Sequence, residues 1–312
     1  MSRLEASALS QSPVPVRFPV PHRHNSTRVR SSQPIKLYQM LKKIRQKVAA
    51  EHVLSTMAIV NNYTAKQEIQ DSELYGPEPY DLNFVLPIPP VLSTNKLRLV
   101  PFIPRIHAAT FLEGIRGHES MFKYMPVALE HPTDLLRFVE KCRRDESAFL
   151  FAVIDTMRPD SNHPEWEGSL AGLFGLLGTD KTKLVTEIGP AVVLPAFQRT
   201  HVSSHAVGLL LKYVLELPPS GLGFRKVKWA ASPINTVSNN LAKRMGFKLE
   251  GVLRWKYVLP VVEGYQKLGK EARAGDARNG LLGRDSNEWA LCWDDWEESG
   301  RELVERAFAR VA

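Results

Sequence analysis

The sequence predicts an α+β domain of the α/β type, about 200 residues long, behind a basic polar leader. Three observations predict it. From residue 96 onward, short apolar or alternating segments interleave with segments of helical periodicity. Hydrophobic residues make up 44% of the 312, enough to bury a core and too many for a disordered chain. The charge is also unevenly divided. Residues 1–56 hold ten Lys or Arg against Glu5 and Glu51, and the rest balances at 31 basic and 31 acidic residues of the totals 41 and 33. The net charge of +8 therefore belongs to the leader, which argues against nucleic-acid binding as the body's main role.

The leader comes first. Residues 1–34 are rich in Ser, Pro and Arg with Glu5 as their one acid, the composition of a disordered tail. The same composition is loosely that of a mitochondrial transit peptide, although Pro13, Pro15, Pro19 and Pro21 spoil a simple import helix. Residues 36–48 set Leu37, Leu41, Ile44 and Val48 at helical spacing among Lys42, Lys43, Arg45 and Lys47. This basic amphipathic helix suits an anionic membrane surface, or a solvated helix docked weakly on the domain. A start of translation at Met57, with an artefactual leader, is a third reading of 1–56. Residues 57–91 are expected to form an arm and linker, with five prolines in the stretch 75–92. The folded domain is expected over 92–297 and a C-terminal helix over 298–312.

Within the domain, "KLRLVPF" (96–102) alternates and predicts a strand. Helices are predicted at 104–117 and 131–144; the second carries Leu135, Phe138 and Val139 on one face and Lys141, Arg143 and Arg144 in its last turns, where the helix dipole favours cations. Strands follow at 148–155, 168–178 and 182–194. Val202, Ala206, Leu209, Leu210, Tyr213 and Leu217 mark the stripe of a helix over 198–216. Next come a strand at 224–232, a helix at 235–246, a strand at 247–259, an inserted loop at 259–285 and a last strand at 287–293. Disorder is the expectation for the insertion, with a lid as the alternative.

Cys142 and Cys292 fit a reduced compartment, with one disulfide as the alternative, and no metal-ligand spacing surrounds either. No apolar run approaches the roughly 18 residues of a membrane span, and no signal-peptide apolar core stands near the start. His201 and His205 are four apart but lack an HExxH-type partner set, so they are expected to be surface or partly packed residues. Two strand–turn–helix junctions are more informative. The first, "LPAFQRTHVSSHA", opens a helix near Arg199 or Thr200 with hydroxyls at Thr200, Ser203 and Ser204. A helix N-terminus with such donors suits a phosphate, or is simply capped. The second places Asn235 and Ser238 on one face of a first turn, where both can also cap. Gly246 before Phe247 is the expected left-handed C-cap, and Val237, Leu241 and Met245 are expected to hold this helix to the sheet. Thr236, Asn239 and Asn240 are expected to be solvated.

The ordered set "TEIGPAVVLPAFQRTHVSSHA", "INTVSNNLAKRMGFKLEGVLR" and "GRDSNEWALCWDDW", opened by "LSTNKLRLVPF", resembles the GNAT superfamily of acyl-CoA-dependent N-acetyltransferases. Within it, the chain is similar to the branch that acetylates ribosomal-protein N-termini (alanine or serine). The resemblance spans residues 92–296, with Asn235, Ser238, Gly246, Phe247, Glu250 and Gly251 matching its central pattern. It implies a GNAT-like mixed, mostly antiparallel sheet of about seven strands flanked by four helices. It also implies acetyl-CoA as co-substrate, with no metal, and direct attack of an amine on the thioester. The coenzyme-binding residues implied are Val192, Val193, Leu194, Gln198, Arg199, Thr200, His201, Val202, Ser203, Ser204, Asn235 and Ser238. The superfamily's pyrophosphate loop has glycine where this chain has His201. Backbone N–H around 190–193 would hold the acyl oxygen. Glu187 matches a catalytic base of the branch and Ser238 the residue at the thiol end; an exposed strand carboxylate and a capping hydroxyl are their plain alternatives. The partners implied are acetyl-CoA and an amine acceptor, in a cytoplasmic monomer or homodimer. A non-catalytic acyl-CoA-binding protein and a basic nucleic-acid or membrane-binding module are the competing expectations.

Overall fold

The computed structural model describes residues 33–54, 60–65, 67–88 and 91–310. Of the expected disordered stretch 1–34, residues 1–32 lie outside the described residues, as does Met57, and residues 33–34 open a helix instead. The chain divides into two compact units, 1–66 and 67–312. In the first, a helix α1 (Gln33–Leu54) extends the predicted 36–48, and its residues 36–48 are all exposed. No described helix is long and apolar enough to cross a membrane.

In the second unit eight strands form one sheet in the order β1-β2-β3-β4-β5-β6-β8-β7. They are β1 (Leu92–Ser93), β2 (Leu97–Pro101), β3 (Phe149–Asp155), β4 (Ser169–Asp180), β5 (Val185–Val193), β6 (Lys226–Ala231), β7 (Lys248–Val258) and β8 (Gly283–Cys292). The strand beyond the predicted seven is the two-residue β1. Pairing is antiparallel throughout except between β5 and β6. That one parallel pair follows from the helix α4 (Val202–Leu215), which crosses over between the two strands.

The four helices that flank the sheet are α2 (Pro104–Ile115), α3 (Pro132–Arg143), α4 and α5 (Thr236–Arg244). Proline at the first position of α2 and α3 starts both without wasting a hydrogen bond. The sheet's centre is apolar on both faces. Every residue of β3 is buried, and α4 is buried almost all round, as a helix between a sheet and further chain must be. The further chain is a short helix α6 (Trp293–Asp295), a wide turn (Trp296–Gly300) and α7 (Arg301–Ala309), where the C-terminal helix was expected. Residues 67–88 of the expected arm belong to the same unit as the sheet. They are tied to it by ion pairs of Asp71 with Arg137 and Glu73 with Arg144, at 2.7 and 2.8 Å.

The insertion corrects an expectation. β8 begins at Gly283, so the loop ends sooner than predicted, and residues 259–282 are an ordered strap rather than a disordered excursion. Leu259 is buried, and Leu268 N–H donates to Lys123 O at 3.0 Å. Lys267 is the anchor. It is 4% exposed, and its Nζ donates to the carbonyls of Phe122, Met125 and Val127 at 2.9, 3.2 and 2.6 Å. Burial pushes its ammonium down to about 8. Three satisfied carbonyls are what make a buried lysine tolerable. Replacing Lys267 by Met strands those carbonyls, so Lys267→Met is expected to destabilise the fold by about 3 kcal/mol in chemical denaturation.

Candidate active site

β5 and β6 pair over only three residues, Val185–Glu187 with Lys226–Lys228. Beyond them the two strands diverge. The divergence starts where β5 bulges against β4, between the pairs Leu176–Ile188 and Phe174–Ala191, with one extra residue on β5. A bulge bends and twists its strand. Gly175 is required beside it, because a Cβ there would meet Gly189 O at 2.7 Å and Phe149 O at 2.8 Å. The fork holds a cavity of about 270 Å³, walled by Ile188–Ala191 on one prong and Trp229–Ser232 on the other.

Strand alternation says which backbone groups face the fork. Leu194 N–H donates to Ala171 O of β4, so Val192 also turns toward β4, while Ala191 and Val193 turn toward the missing neighbour. Gln198 Nε2 donates to Val193 O at 3.1 Å, which places that carbonyl on the open side. The N–H groups of Ala191 and Val193 thus face the gap.

The cavity gathers three of the predicted residues. Glu187 lines it from the last paired position of β5. Its side chain is 18% exposed and its Oε2 lies 3.7 Å from Lys228 Nζ. Burial pushes the Glu187 carboxyl above its usual range, opposed by Lys256 and Lys228 and reinforced by Glu288. Asn235 and Ser238 line the cavity from α5. Asn235 is the N-cap, its Oδ1 accepting from Ser238 N–H at 3.2 Å, and Ser238 Oγ accepts from Trp229 Nε1 at 3.1 Å. Asn235 therefore caps the helix, whereas the Ser238 hydroxyl is engaged by Trp229 and is not a cap.

The predicted pyrophosphate turn stands at the far end of β5 and does not line this cavity. A tight turn at Pro195–Phe197 precedes α4, whose first residue is Val202, later than predicted. Arg199 takes a left-handed φ of +62° and is exposed. Two hydroxyls expected to serve an anion are spent on the loop: Thr200 Oγ1 donates to Phe197 O at 2.6 Å, and Ser204 Oγ to His201 O at 3.0 Å. Val202 N–H also donates to Thr200 Oγ1 at 3.3 Å, which leaves the N–H groups of Ser203 and Ser204 as the first-turn donors without an acceptor four residues earlier in the helix. His201, at the glycine position, turns inward. Its side chain is 13% exposed, with Nε2 3.2 Å from Asp155 Oδ1, and it packs edge-on against His205 at 5.1 Å. His205 is fully buried, and burial pushes it down to about 4. These histidines are interior residues, more packed than predicted.

The α5 expectations need two corrections. Val237 is 80% exposed, so Leu241 and Met245 hold the helix without it. Asn239 is buried, not solvated. Its Nδ2 donates to the carbonyls of Ser232 and Asn235 at 2.9 and 2.7 Å, and its Oδ1 accepts from Asn287 Nδ2 and Trp289 Nε1, both at 2.9 Å. Thr236 and Asn240 are exposed, as expected. At the other end of α5, Gly246 N–H donates to Lys243 O and Phe247 N–H to Ala242 O with Gly246 at φ +89°, the predicted C-cap in Schellman form.

Sequence reasoning missed Tyr257 and Arg284, which face each other across β7 and β8 and also line the cavity. Their pairing spans the insertion, so no local spacing announced it. Cys292 Sγ and the carboxylates of Asp294 and Asp295 lie within 4.8 Å of one another, closer than the sequence spacing led us to expect. Asp295 is engaged by Lys248 Nζ and by Cys292 N–H, so the trio serves as a helix cap. Cys142 and Cys292 are both free thiols.

Residues 96–248 match the family model of the acetyltransferase (GNAT) domain. Among solved structures, a GCN5-related N-acetyltransferase from Brucella melitensis is similar, at 21% identity over 71% of this chain and 86% of that one, with a TM-score of 0.54. A Chromobacterium violaceum structure assigned to the GNAT family is similar at 19% identity over 78% and 97%, with a TM-score of 0.53. Such identities show a shared fold. No curated protein matches the chain.

Asn239 fixes the entry to α5 through four bonds at once, and truncation leaves the Trp289 indole N–H buried without an acceptor. Asn239→Ala is expected to cost about 3 kcal/mol of stability, readable as a lowered midpoint in urea.

Proposed function

We propose that this chain, which carries a GNAT acetyltransferase domain over residues 96–248, is an acetyl-CoA-dependent N-acetyltransferase. The observation that carries the reading is the fork between β5 and β6. It offers an extended ligand two outward N–H groups, Ala191 and Val193, beside a cavity holding a raised carboxyl. These residues fit a coenzyme with a long amide-bearing arm, which can pair with an open strand edge as another strand would. The N–H groups of Ser203 and Ser204 in the first turn of α4, with exposed Arg199, fit its phosphates. The His201 side chain, 13% exposed beside Asp155, points away from the anion that this turn would hold.

When bound, acetyl-CoA supplies the activated acyl group. The chain's own residues do the rest. An acceptor amine is protonated near neutral pH and must lose a proton to attack. Glu187 takes that proton, directly or through one water, because burial holds its carboxyl at a higher pKa than a surface glutamate's. The Ala191 or Val193 N–H meets the acyl oxygen, and Ser238 Oγ, already accepting from Trp229, has its own O–H to donate to the departing sulfur. Free thiols at Cys142 and Cys292 support a reduced, cytoplasmic setting. The acceptor is a protein N-terminus, a peptide or a small amine.

Acetyl-CoA is expected to raise the melting temperature of the full chain, since a ligand of the native state must. An amine and peptide panel should then release free thiol. No thermal shift at millimolar acetyl-CoA overturns the proposal; a shift without thiol release leaves a binding protein. Glu187→Gln should keep the thermal shift and cut turnover about 10²-fold or more. Unchanged turnover removes Glu187 as the base.

A further inference from the structure

The charges lining the cavity do not cancel. Strand register puts Glu187, Lys228, Glu288, Ser286 and Arg284 on one face of the sheet, opposite the face that carries Trp229 and α5. Glu187 lies 3.7 Å from Lys228, and Glu288 lies 2.6 Å from Lys256. Each carboxylate thus has its own lysine. Arg284 is the cation left over.

Arg284 is 7% exposed and lines the cavity. Its Nε is buried without a hydrogen-bond partner, and its Nη2 has only Ser286 Oγ, at 3.3 Å. The guanidinium lies over the Tyr257 ring at 5.1 Å. Among the described residues no carboxylate comes within ion-pairing distance of it. Glu187 and Glu288 are close enough to influence it electrostatically, and burial works against its charge. A guanidinium does not give up its proton, so it cannot escape burial by becoming neutral, as a lysine can. A buried unpaired cation is costly to the fold, and such a group in a cavity marks a binding function. Its planar fork matches a carboxylate with two parallel N–H bonds.

We propose that Arg284 is the anchor for a carboxylate on the acceptor, so that the amine to be acetylated belongs to a molecule carrying an acidic group close to it. The inference rests on the acetyltransferase reading and names its substrate class. The coenzyme's own anions do not fill the role, because the phosphate-type turn is at the other end of β5. Arg284 and the proposed base Glu187 lie on the same face, so a carboxylate held by Arg284 brings its amine to Glu187. The carboxylate has two sources: the α-carboxylate of a free amino acid, or an acidic side chain next to a peptide's N-terminus.

The test measures kcat and KM with matched acceptors on the full chain, its Arg284→Gln variant and its Arg284→Lys variant. One pair is alanine and alaninamide; the other is the amides of Ser-Asp-Ala-Ala and Ser-Asn-Ala-Ala. Because the amines differ in basicity, the readout is the change in each pair's ratio between variants. The wild type should favour the carboxylate-bearing member of one pair about 10-fold or more, chiefly through KM. Arg284→Gln should abolish that preference, and Arg284→Lys should restore part of it, which a merely structural role would not. A response in the first pair identifies a small amino acid, and in the second a peptide. The preference surviving in Arg284→Gln, or no preference while neutral amines turn over, overturns the inference alone. No turnover of any amine overturns the acetyltransferase reading with it. A retained acetyl-CoA thermal shift in Arg284→Gln certifies that the variant is folded.

Discussion

The separation of β5 from β6 is the constraint on which the rest of this structure depends. A sheet interior normally pairs every backbone group, and an unpaired one away from water is expensive. Here the two strands stop pairing after Glu187 and Lys228, in the middle of the molecule. Much of the surrounding architecture answers that loss. The bulge in β5 turns the strand away, and Gly175 lets the bulge lie close to β4. Gln198 covers the Val193 carbonyl, and Asn239 covers the carbonyls of Ser232 and Asn235 just past the end of β6. What stays uncovered is a short edge of donors beside a cavity. That edge is the physical content of the proposed coenzyme slot.

The fork also joins the two faces of the sheet. Ser238 and Asn235 reach the cavity from the α5 face, whereas Glu187, Tyr257 and Arg284 reach it from the other. The proposed base and the proposed group for the leaving sulfur then stand on opposite faces of the sheet. The cavity has a further wall in Met121, Tyr124 and Met125, and the strap through Lys267 holds that segment in place. The insertion shapes the cavity from behind, through the backbone it pins.

Much of this was legible in the sequence, for identifiable reasons. The domain's strands and helices declared themselves by periodicity, and Gly246 with Phe247 announced a Schellman stop that the structure contains. Glu187, singled out by the family resemblance, and Asn235 and Ser238, from the second strand–turn–helix junction, line one cavity. What escaped depends on register. Arg284 and Tyr257 are neighbours only because β7 pairs with β8 across a loop of two dozen residues. Asn239 looked like one more polar residue at a helix start, and its burial goes with bonds from Trp289 and Asn287, about 50 positions later. His201 looked like an obstacle to a phosphate because the sequence does not say which way a side chain turns; it lies inward beside Asp155, 46 positions earlier.

The central claim is that the open edge of β5 receives the coenzyme. The most direct measurement is amide hydrogen exchange of Ala191 and Val193 in the full chain, with and without acetyl-CoA. Both amides now face a gap, so they should exchange readily in the free protein and slow markedly when the ligand pairs with them. The amides of Ser203 and Ser204 in the first turn of α4 should slow in the same experiment. Unchanged exchange at Ala191 and Val193, with protection appearing on another surface, would contradict the assignment of the fork as the coenzyme slot.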